Sequence, residues 1–383
     1  MWHLFKPFSA LLLLIVFSGI LPGCQNSKPD LQKSSPIEAL SATDPDQGFA
    51  RATEPRTFTF PADAGPHPEY QTEWWYYTGN LEDATGRDFG YQLTFFRRAL
   101  SPAPQLTPED WPTQQVYFAH FTVSDMQNKA FYPFERWQRG SIDLAGAQSQ
   151  PFKVWLDHWQ ISGNPEGEVI LKAHAEGVEL DLKLNALKPV VLEGDKGLSQ
   201  KSSGEGNASY YYSRTRIASE GTLKLPEQER MAVKGLSWLD REWSTSVLSR
   251  EQSGWDWFSL HFDNGEELML YQLRLKAGGV DNYSSGTHIA KDGSSTHLEE
   301  ARFEIKPTTY WTSEATGIRY PAGWELSVQH PGQIPRTFQV KPLMNNQELP
   351  LSFVYWEGAV EILDTTGKSL GKGYVELTGY DRP

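Results

Sequence analysis

The stretch Phe89-Gly90-Tyr91-Gln92-Leu93-Thr94-Phe95 alternates apolar and polar side chains. Successive side chains of an extended strand point to opposite faces, so Phe89, Tyr91, Leu93 and Phe95 share one face and Gln92 and Thr94 the other. The period recurs along the chain. Val178, Leu180, Leu182 and Leu184 alternate with Glu179, Asp181 and Lys183, and Tyr117, Ala119, Phe121 and Val123 repeat the pattern, as do Trp324, Leu326 and Val328. Turn formers separate these runs: Asn164-Pro165, Asp263-Asn264-Gly265, Asp292-Gly293 and Thr366-Gly367. Helical periodicity is scarce, and Pro108-Glu109-Asp110-Trp111 is the expected site of one short helical turn. The pattern predicts an all-β chain of meandering antiparallel hairpins.

A faint internal repeat organises the strands. Tyr76-Tyr77-Thr78, Leu81, Gly86 and Tyr91-Gln92-Leu93 mark a first copy, and Trp257-Phe258-Ser259, Phe262, Gly265 and Tyr271-Gln272-Leu273 a second. Thr78 to Tyr91 is one residue longer than Ser259 to Tyr271. The repeat reads as two copies of one β unit, each with enough strands for a closed barrel; coincidence between aromatic strands is the alternative. Gly221, Pro226 and the charges between Glu220 and Arg230 place the expected seam there, giving domains 55–222 and 223–383.

The N-terminus speaks to location. Ala10 to Leu21 is apolar apart from Ser18, about the length of a signal-peptide core and too short to span a bilayer. Leu21-Pro22-Gly23-Cys24 closes this run with the chain's one cysteine and resembles a bacterial lipobox. The resemblance implies a signal peptide over 1–23, cleavage before Cys24, acylation of Cys24 and a membrane anchor. Gln25 after the Cys resembles the sorting pattern for the outer membrane. Residues 24–54, rich in Ser, Pro, Asp, Gln and Lys, read as a flexible tether. The net charge is −13, and loss of Lys6 with the signal leaves −14. Such a chain is poorly suited to nucleic acid, whose phosphates need a basic face. Fourteen Trp, sixteen Tyr and nineteen Phe are many for so polar a chain, and they predict aromatic walls around a cavity or a barrel filled by its own side chains.

Glu73-Trp74-Trp75-Tyr76-Tyr77-Thr78-Gly79-Asn80-Leu81 resembles the opening motif of the AttH-like and carotenoid 1,2-hydratase (CrtC-like) family. Ordered matches follow at Gln92–Arg97, Ala119-His120-Phe121, Ser209–Ser213, Trp238–Ser244, Gly254–Phe258, Tyr355–Gly358 and Glu376–Tyr380. The resemblance runs from about residue 55 to the C-terminus. It implies two tandem lipocalin-like antiparallel β-barrels. AttH-branch members are often encoded beside ABC transporter components and often labelled predicted secreted hydrolases. Members of the carotenoid branch add water to a terminal double bond without a cofactor.

Alkene hydration needs a proton donor in a dry site and aromatic faces to hold a cation. Asp240 matches the family's aromatic-x-Asp motif, whose Asp is the proposed donor in the hydratase branch, and Glu242 falls on the same face if the strand is extended. The hydratase branch follows this Asp with His and Asn, whereas Arg241 and Glu242 stand here. An Arg beside Asp240 would keep it ionised, so the residues by themselves read as an Asp240–Arg241–Glu242 ion-pair network at a barrel mouth or seam. Glu73 is expected to pair with Arg97 or Arg98. The candidate ligand-binding set is Trp74, Trp75, Tyr77, His120, Tyr210, Tyr212, Trp238, Trp243, Trp257 and Glu357, with core packing the plainer role for the two Trp and a satisfied interior imidazole that for His120.

The sequence has no Gly-x-Ser-x-Gly elbow, no paired His spacing for a metal and no phosphate loop or dinucleotide fingerprint. No cofactor is expected. The leading expectation is a lipid-anchored envelope protein that binds an apolar or amphipathic molecule or lipid and works with an ABC transporter permease. The alternatives are an enzyme on an apolar substrate, hydratase or hydrolase, with Asp240 as acid, and a structural protein with filled barrels.

Overall fold

The computed structural model describes residues 48–102, 113–141, 143–246, 248–330 and 335–380. The signal sequence, Cys24, most of the tether and the expected turn at Pro108–Trp111 lie outside them. Among the described residues the chain is all β, with two short 3-10 turns, Ala62–Ala64 and Glu300–Arg302, and no helix long and apolar enough to cross a membrane.

Two large antiparallel sheets hold nearly all the strands. The first runs in the order Ala130–Arg139, Gln115–Asp125, Asp88–Ala99, Thr72–Asp83, Met231–Ser244, Ala208–Lys224, Val178–Ala186, Glu168–Ala175, Trp159–Gly163, Phe152–Leu156, Ala145–Ser149. It curls until Gln115–Asp125 and Ala130–Arg139 come beside Phe152–Leu156, a nearly closed barrel. The second is built on Glu267–Leu275, Gln252–Phe262, Ser369–Leu377 and Val354–Leu363, which are neighbours in that order. The expected turns at Asn164-Pro165, Asp263–Gly265, Asp292-Gly293 and Thr366-Gly367 all connect strands.

The change of sheet falls between Ser244 and Gln252, not at the seam expected near Glu220–Arg230. Pro226 and its charged neighbours form a hairpin turn between Ala208–Lys224 and Met231–Ser244, both of the first sheet. A turn inside a sheet and a linker between domains need the same residue types, so composition did not separate them.

Alternation decides what each face meets. Phe89, Tyr91, Leu93, Phe95, Phe121, Val123, Leu180, Leu182 and Trp243 pack in the interior of the first sheet. Phe258, Leu260, Trp324, Leu326, Val328 and Val375 build the interior of the second. The polar face of Asp88–Ala99 is not solvated, for Gln92 and Thr94 are both fully buried, whereas that of Val178–Ala186 reaches solvent at Lys183. The outer face of the first sheet lies against the second sheet, joined by a mixed cluster of Tyr76, Tyr211, Trp238, Trp257, Tyr271 and Tyr374. Hydrogen bonds cross the seam from Asn80 Nδ2 to Gly373 O at 3.0 Å and from Ser124 Oγ to Gln347 Oε1 at 2.8 Å.

The floor of the first barrel is ionic. Glu73, fully buried, accepts from Arg97 and Arg241. It also accepts from the His67 backbone N–H at 3.0 Å. Burial opposes ionisation, yet the two guanidiniums and His67 hold its carboxyl well below the ordinary range. Arg241 lies over the Trp75 ring at 3.9 Å, and His67 stacks on Trp243 at 3.7 Å. Replacing Glu73 by Gln leaves two buried guanidiniums short of an anion. Urea unfolding of Glu73→Gln at neutral pH is expected to show a loss of about 3–5 kcal/mol, and an unchanged midpoint would refute the role of this triad.

Candidate functional site

The residues that the sheets turn toward each other enclose a cavity of about 850 Å³, its open mouth included. Parity selects the lining. From Thr72–Asp83 come Trp74 and Tyr76, and from Met231–Ser244 come Asp240 and Glu242. Phe96, Phe118, His120, Lys201 and Tyr211 complete the first sheet's side. The second sheet contributes Trp255, Trp257, Tyr271, Leu273, Tyr355 and Glu376, with Leu248 and Phe353 from connections.

Asp240 sits at the polar end, 4% exposed. It accepts hydrogen bonds from Ser213 Oγ at 2.6 Å, Trp238 Nε1 at 2.6 Å and the Tyr211 hydroxyl. Trp257 Nε1 in turn donates to the Tyr211 hydroxyl at 3.2 Å. Burial pushes the Asp240 carboxyl up to about 7; the three hydrogen bonds resist, and Glu242 adds to the rise. The expected Asp240–Arg241–Glu242 network does not form. In an extended strand Arg241 points opposite to its neighbours, and it is spent on Glu73 on the barrel's inner face.

Glu242 takes Lys201 as its partner, Nζ to Oε1 at 3.1 Å, and accepts from Ser209. The Lys201 ammonium lies 4.3 Å from the centre of the Tyr271 ring and 5.1 Å from that of Tyr211. Burial pulls the ammonium down, but Glu242, with Tyr271 and Asp240, leaves it above its ordinary value. On the facing sheet, Trp255 Nε1 donates to Glu376 Oε2 at 3.0 Å. Burial carries the Glu376 carboxyl to about 7; Trp255 opposes this, and Asp240 and Glu242 add to it. Behind the wall, the Tyr76 hydroxyl donates to Glu357 Oε1 at 2.5 Å. Burial, with Glu376 nearby, raises the Glu357 carboxyl well above the carboxylate range. Glu193, also buried, accepts from Thr287 at 2.5 Å and is pushed up to about 8 by burial. At the other end His120 bridges the sheets, with Nδ1 2.7 Å from the Tyr355 hydroxyl and Nε2 3.1 Å from Glu135.

Of the candidate residues, Asp240, Glu242, Trp74, His120 and Trp257 line this cavity. Trp238 stands behind Asp240 as a donor, and Glu357 stands behind Tyr76. Tyr210 and Trp243 lie in the first sheet's interior; Trp75, Tyr77 and Tyr212 lie there too and border a smaller pocket. The assignment of Tyr210 and Tyr212 is therefore corrected by one residue of register, because Tyr211 is the member of the triplet that faces the cavity. The repeat carries a similar slip. Tyr271 lines the cavity while Tyr91 is in the barrel core, since the extra residue before Tyr91 reverses its face. Lys201 and Glu376 were not foreseen. Glu376 lay in a quoted motif, Glu376–Tyr380, whose alternation with Leu377 carried the signal; Lys201 has no periodic context.

The arrangement joins an apolar, cation-tolerant wall to carboxyls that are part protonated at neutral pH. Its lining includes no serine, threonine or cysteine, and no metal-ligand cluster is found among the described residues.

A family model described as AttH-like matches residues 51–380, and the chain belongs to that family. Among solved structures, an AttH candidate from Nitrosomonas europaea is 33% identical, with a TM-score of 0.77 over 87% of this chain and all of that one. Kievitone hydratase from Nectria haematococca shares the fold at 15% identity, with a TM-score of 0.64 over 88% of this chain and 98% of that one. CghA, solved with Sch210972, does so at 12% identity and a TM-score of 0.54, over 89% and 98%. No curated protein matches the chain.

Carboxyls held near or above 7 bind a proton in the folded state that they release in the unfolded one. Their contribution to stability is intact below the unfolded value, near 4, and is lost as pH rises through about 7 for Asp240. Urea midpoints of Asp240→Asn relative to wild type are expected to rise between about pH 4 and about pH 7 and to level off above that. A constant difference would show that Asp240 is ionised throughout.

Proposed function

We propose that this AttH-like protein is a cofactor-free enzyme that adds water to a double bond of an apolar or amphipathic substrate, with Asp240 as the general acid. The observation that carries the reading is the separation of Asp240 from Arg241. The neighbour that would have fixed its negative charge pairs with Glu73 instead, and Asp240 is left in an aromatic cavity with its carboxyl near 7. A solved protein of the same fold carries the name kievitone hydratase, a reaction of the class proposed here.

The substrate's apolar body lies against Trp74, Trp255 and Trp257. Asp240 gives its proton to one alkene carbon, the π pair forms the new C–H bond, and the other carbon becomes cationic. Trp257 and Tyr76, whose rings meet edge to face at 5.1 Å, present electron-rich surfaces to that charge. Water forms the C–O bond and surrenders a proton to a carboxylate, so the sum is addition of one water with no change in redox state. Burial that raises Asp240 both supplies the proton and keeps bulk water from quenching the cation early.

The test is a panel of isoprenoid and long-chain alkenes incubated with the full chain in heavy-oxygen water and read by mass spectrometry. A product heavier by one labelled water is expected. Asp240→Asn should lower its rate by about 10²–10⁴-fold while binding of the fluorescent probe N-phenylnaphthylamine stays unchanged. Saturable probe binding with no labelled product from any alkene would replace this reading with a carrier.

We also infer, from the lipobox-like Leu21–Cys24, that the enzyme works at the envelope on an acyl anchor. Expressed in a bacterial host with labelled palmitate, the full chain should take up label in the membrane fraction, and Cys24→Ser should not. Equal labelling of both would remove the anchor at Cys24.

A further inference from the structure

Each sheet contributes one unpaired carboxyl to the cavity, at matching places in its framework. In the first sheet Tyr76 of the aromatic triplet strand lies opposite Asp240. In the second, Trp257 of the corresponding strand lies opposite Glu376. Tyr76 and Trp257 are the residues whose rings meet across the sheets, so the two carboxyls flank one aromatic contact, one from each side. Both line the cavity. Each accepts an indole N–H, from Trp238 and Trp255 respectively. Neither has an arginine or lysine partner among the described residues, since Lys201 pairs with Glu242 and Arg241 with Glu73. Trp255 occupies Glu376 Oε2, and Oε1 receives no hydrogen bond from the described residues, which leaves it for a water or a ligand.

We propose that Glu376 is the second proton-transfer group of this cavity, accepting the proton of the attacking water while Asp240 protonates the double bond. The proposal rests on the hydratase reading for its direction of transfer. The Asp240 O–H bond breaks as the C–H bond forms. The water oxygen bonds to the cationic carbon, and the electron pair of one water O–H returns to oxygen as its proton passes to the Glu376 carboxylate. One proton has left Asp240 and one has reached Glu376, and its return through cavity water resets the pair. A single proton shared by two similar carboxyls makes this division of labour workable near neutral pH.

The charged and titratable groups around the pair are Glu242 and Lys201 on the first sheet's side, Glu357 on the strand next to Glu376, and Glu193 behind Asp240. The Tyr211 phenol donates to Asp240 and the Tyr76 and Tyr355 phenols face Glu376; all three stay protonated through this range because burial holds them well above their ordinary value.

The test is a carboxyl carbon-13 NMR titration of the full chain, labelled at Asp and Glu side chains. Glu376→Gln should move the Asp240 midpoint down by about one pH unit, and Asp240→Asn should do the same to Glu376. Reading the shift in both directions guards against one variant that folds poorly. Independent titration, with neither midpoint moving, overturns the pair whatever the enzyme turns over. Where an alkene is hydrated, the rate should be bell-shaped in pH. Glu376→Gln should abolish its acidic limb and Asp240→Asn its alkaline one, whereas a merely structural role would lower the curve without changing its shape. Coupled midpoints without turnover of any alkene would keep the proton-sharing pair and remove the hydratase reading.

Discussion

Period-two alternation along Met231–Ser244 sorts one run of charges onto two sides of a sheet. Arg241 goes inward, where Glu73 receives it together with Arg97; Asp240 and Glu242 go outward into the cavity. Adjacent in sequence, these groups would neutralise one another in a coil or a turn. In a strand they cannot, because the backbone itself stands between them. The ionic floor of the barrel and the acidity of the cavity are therefore two results of one register. The pairings Tyr76 opposite Asp240 and Trp75 opposite Arg241 fix that register. A slip of one residue would put the guanidinium in the cavity and the two acids in the barrel core.

A lipocalin-like barrel invites the expectation that its ligand sits inside. Here the interior of the first sheet is packed by Tyr91, Phe95, Phe121, Leu182 and Trp243, and the larger aromatic cavity lies between the sheets. That placement explains the composition. A chain with two separate barrels needs two apolar interiors, whereas this one also needs an apolar outer face on each sheet. Trp74, Tyr76, Trp255, Trp257 and Tyr271 are the residues that supply it. It also explains why Gln92 and Thr94, polar and opposite the core face, are as buried as the phenylalanines beside them.

The legible part of the fold was the part that repeats. Strand periodicity, turn chemistry and the all-β class could be read directly, because each is a local property of a few residues. The candidate site was legible only where a motif residue and its face coincided, as for Asp240, Glu242, Trp74, His120 and Trp257. The triplet Tyr210-Tyr211-Tyr212 shows the limit. Three identical side chains carry no phase, so choosing the outer two over Tyr211 amounted to choosing a register, and register is set by partners far away in sequence. Lys201 shows a different limit. It is the residue that follows a short strand, Leu198–Gln200, with no alternation to announce a face. Its meaning comes wholly from Glu242, Tyr211 and Tyr271.

Burying Asp240, Glu376, Glu357 and Glu193 without cations costs stability, since each must be protonated or desolvated as an anion. The same molecule also shows the cheaper arrangement, for Glu73 is equally buried and has two guanidiniums. The contrast argues against packing as the reason for the unpaired acids. Leucine or glutamine in these places would fill the space at lower cost. Two of the four, Asp240 and Glu376, also sit on the cavity wall and lie near neutrality, the setting from which proton transfer is built. These two acids come one from each sheet, opposite Tyr76 and opposite Trp257, so the proposed proton transfer draws on the joint between the halves and on neither half alone.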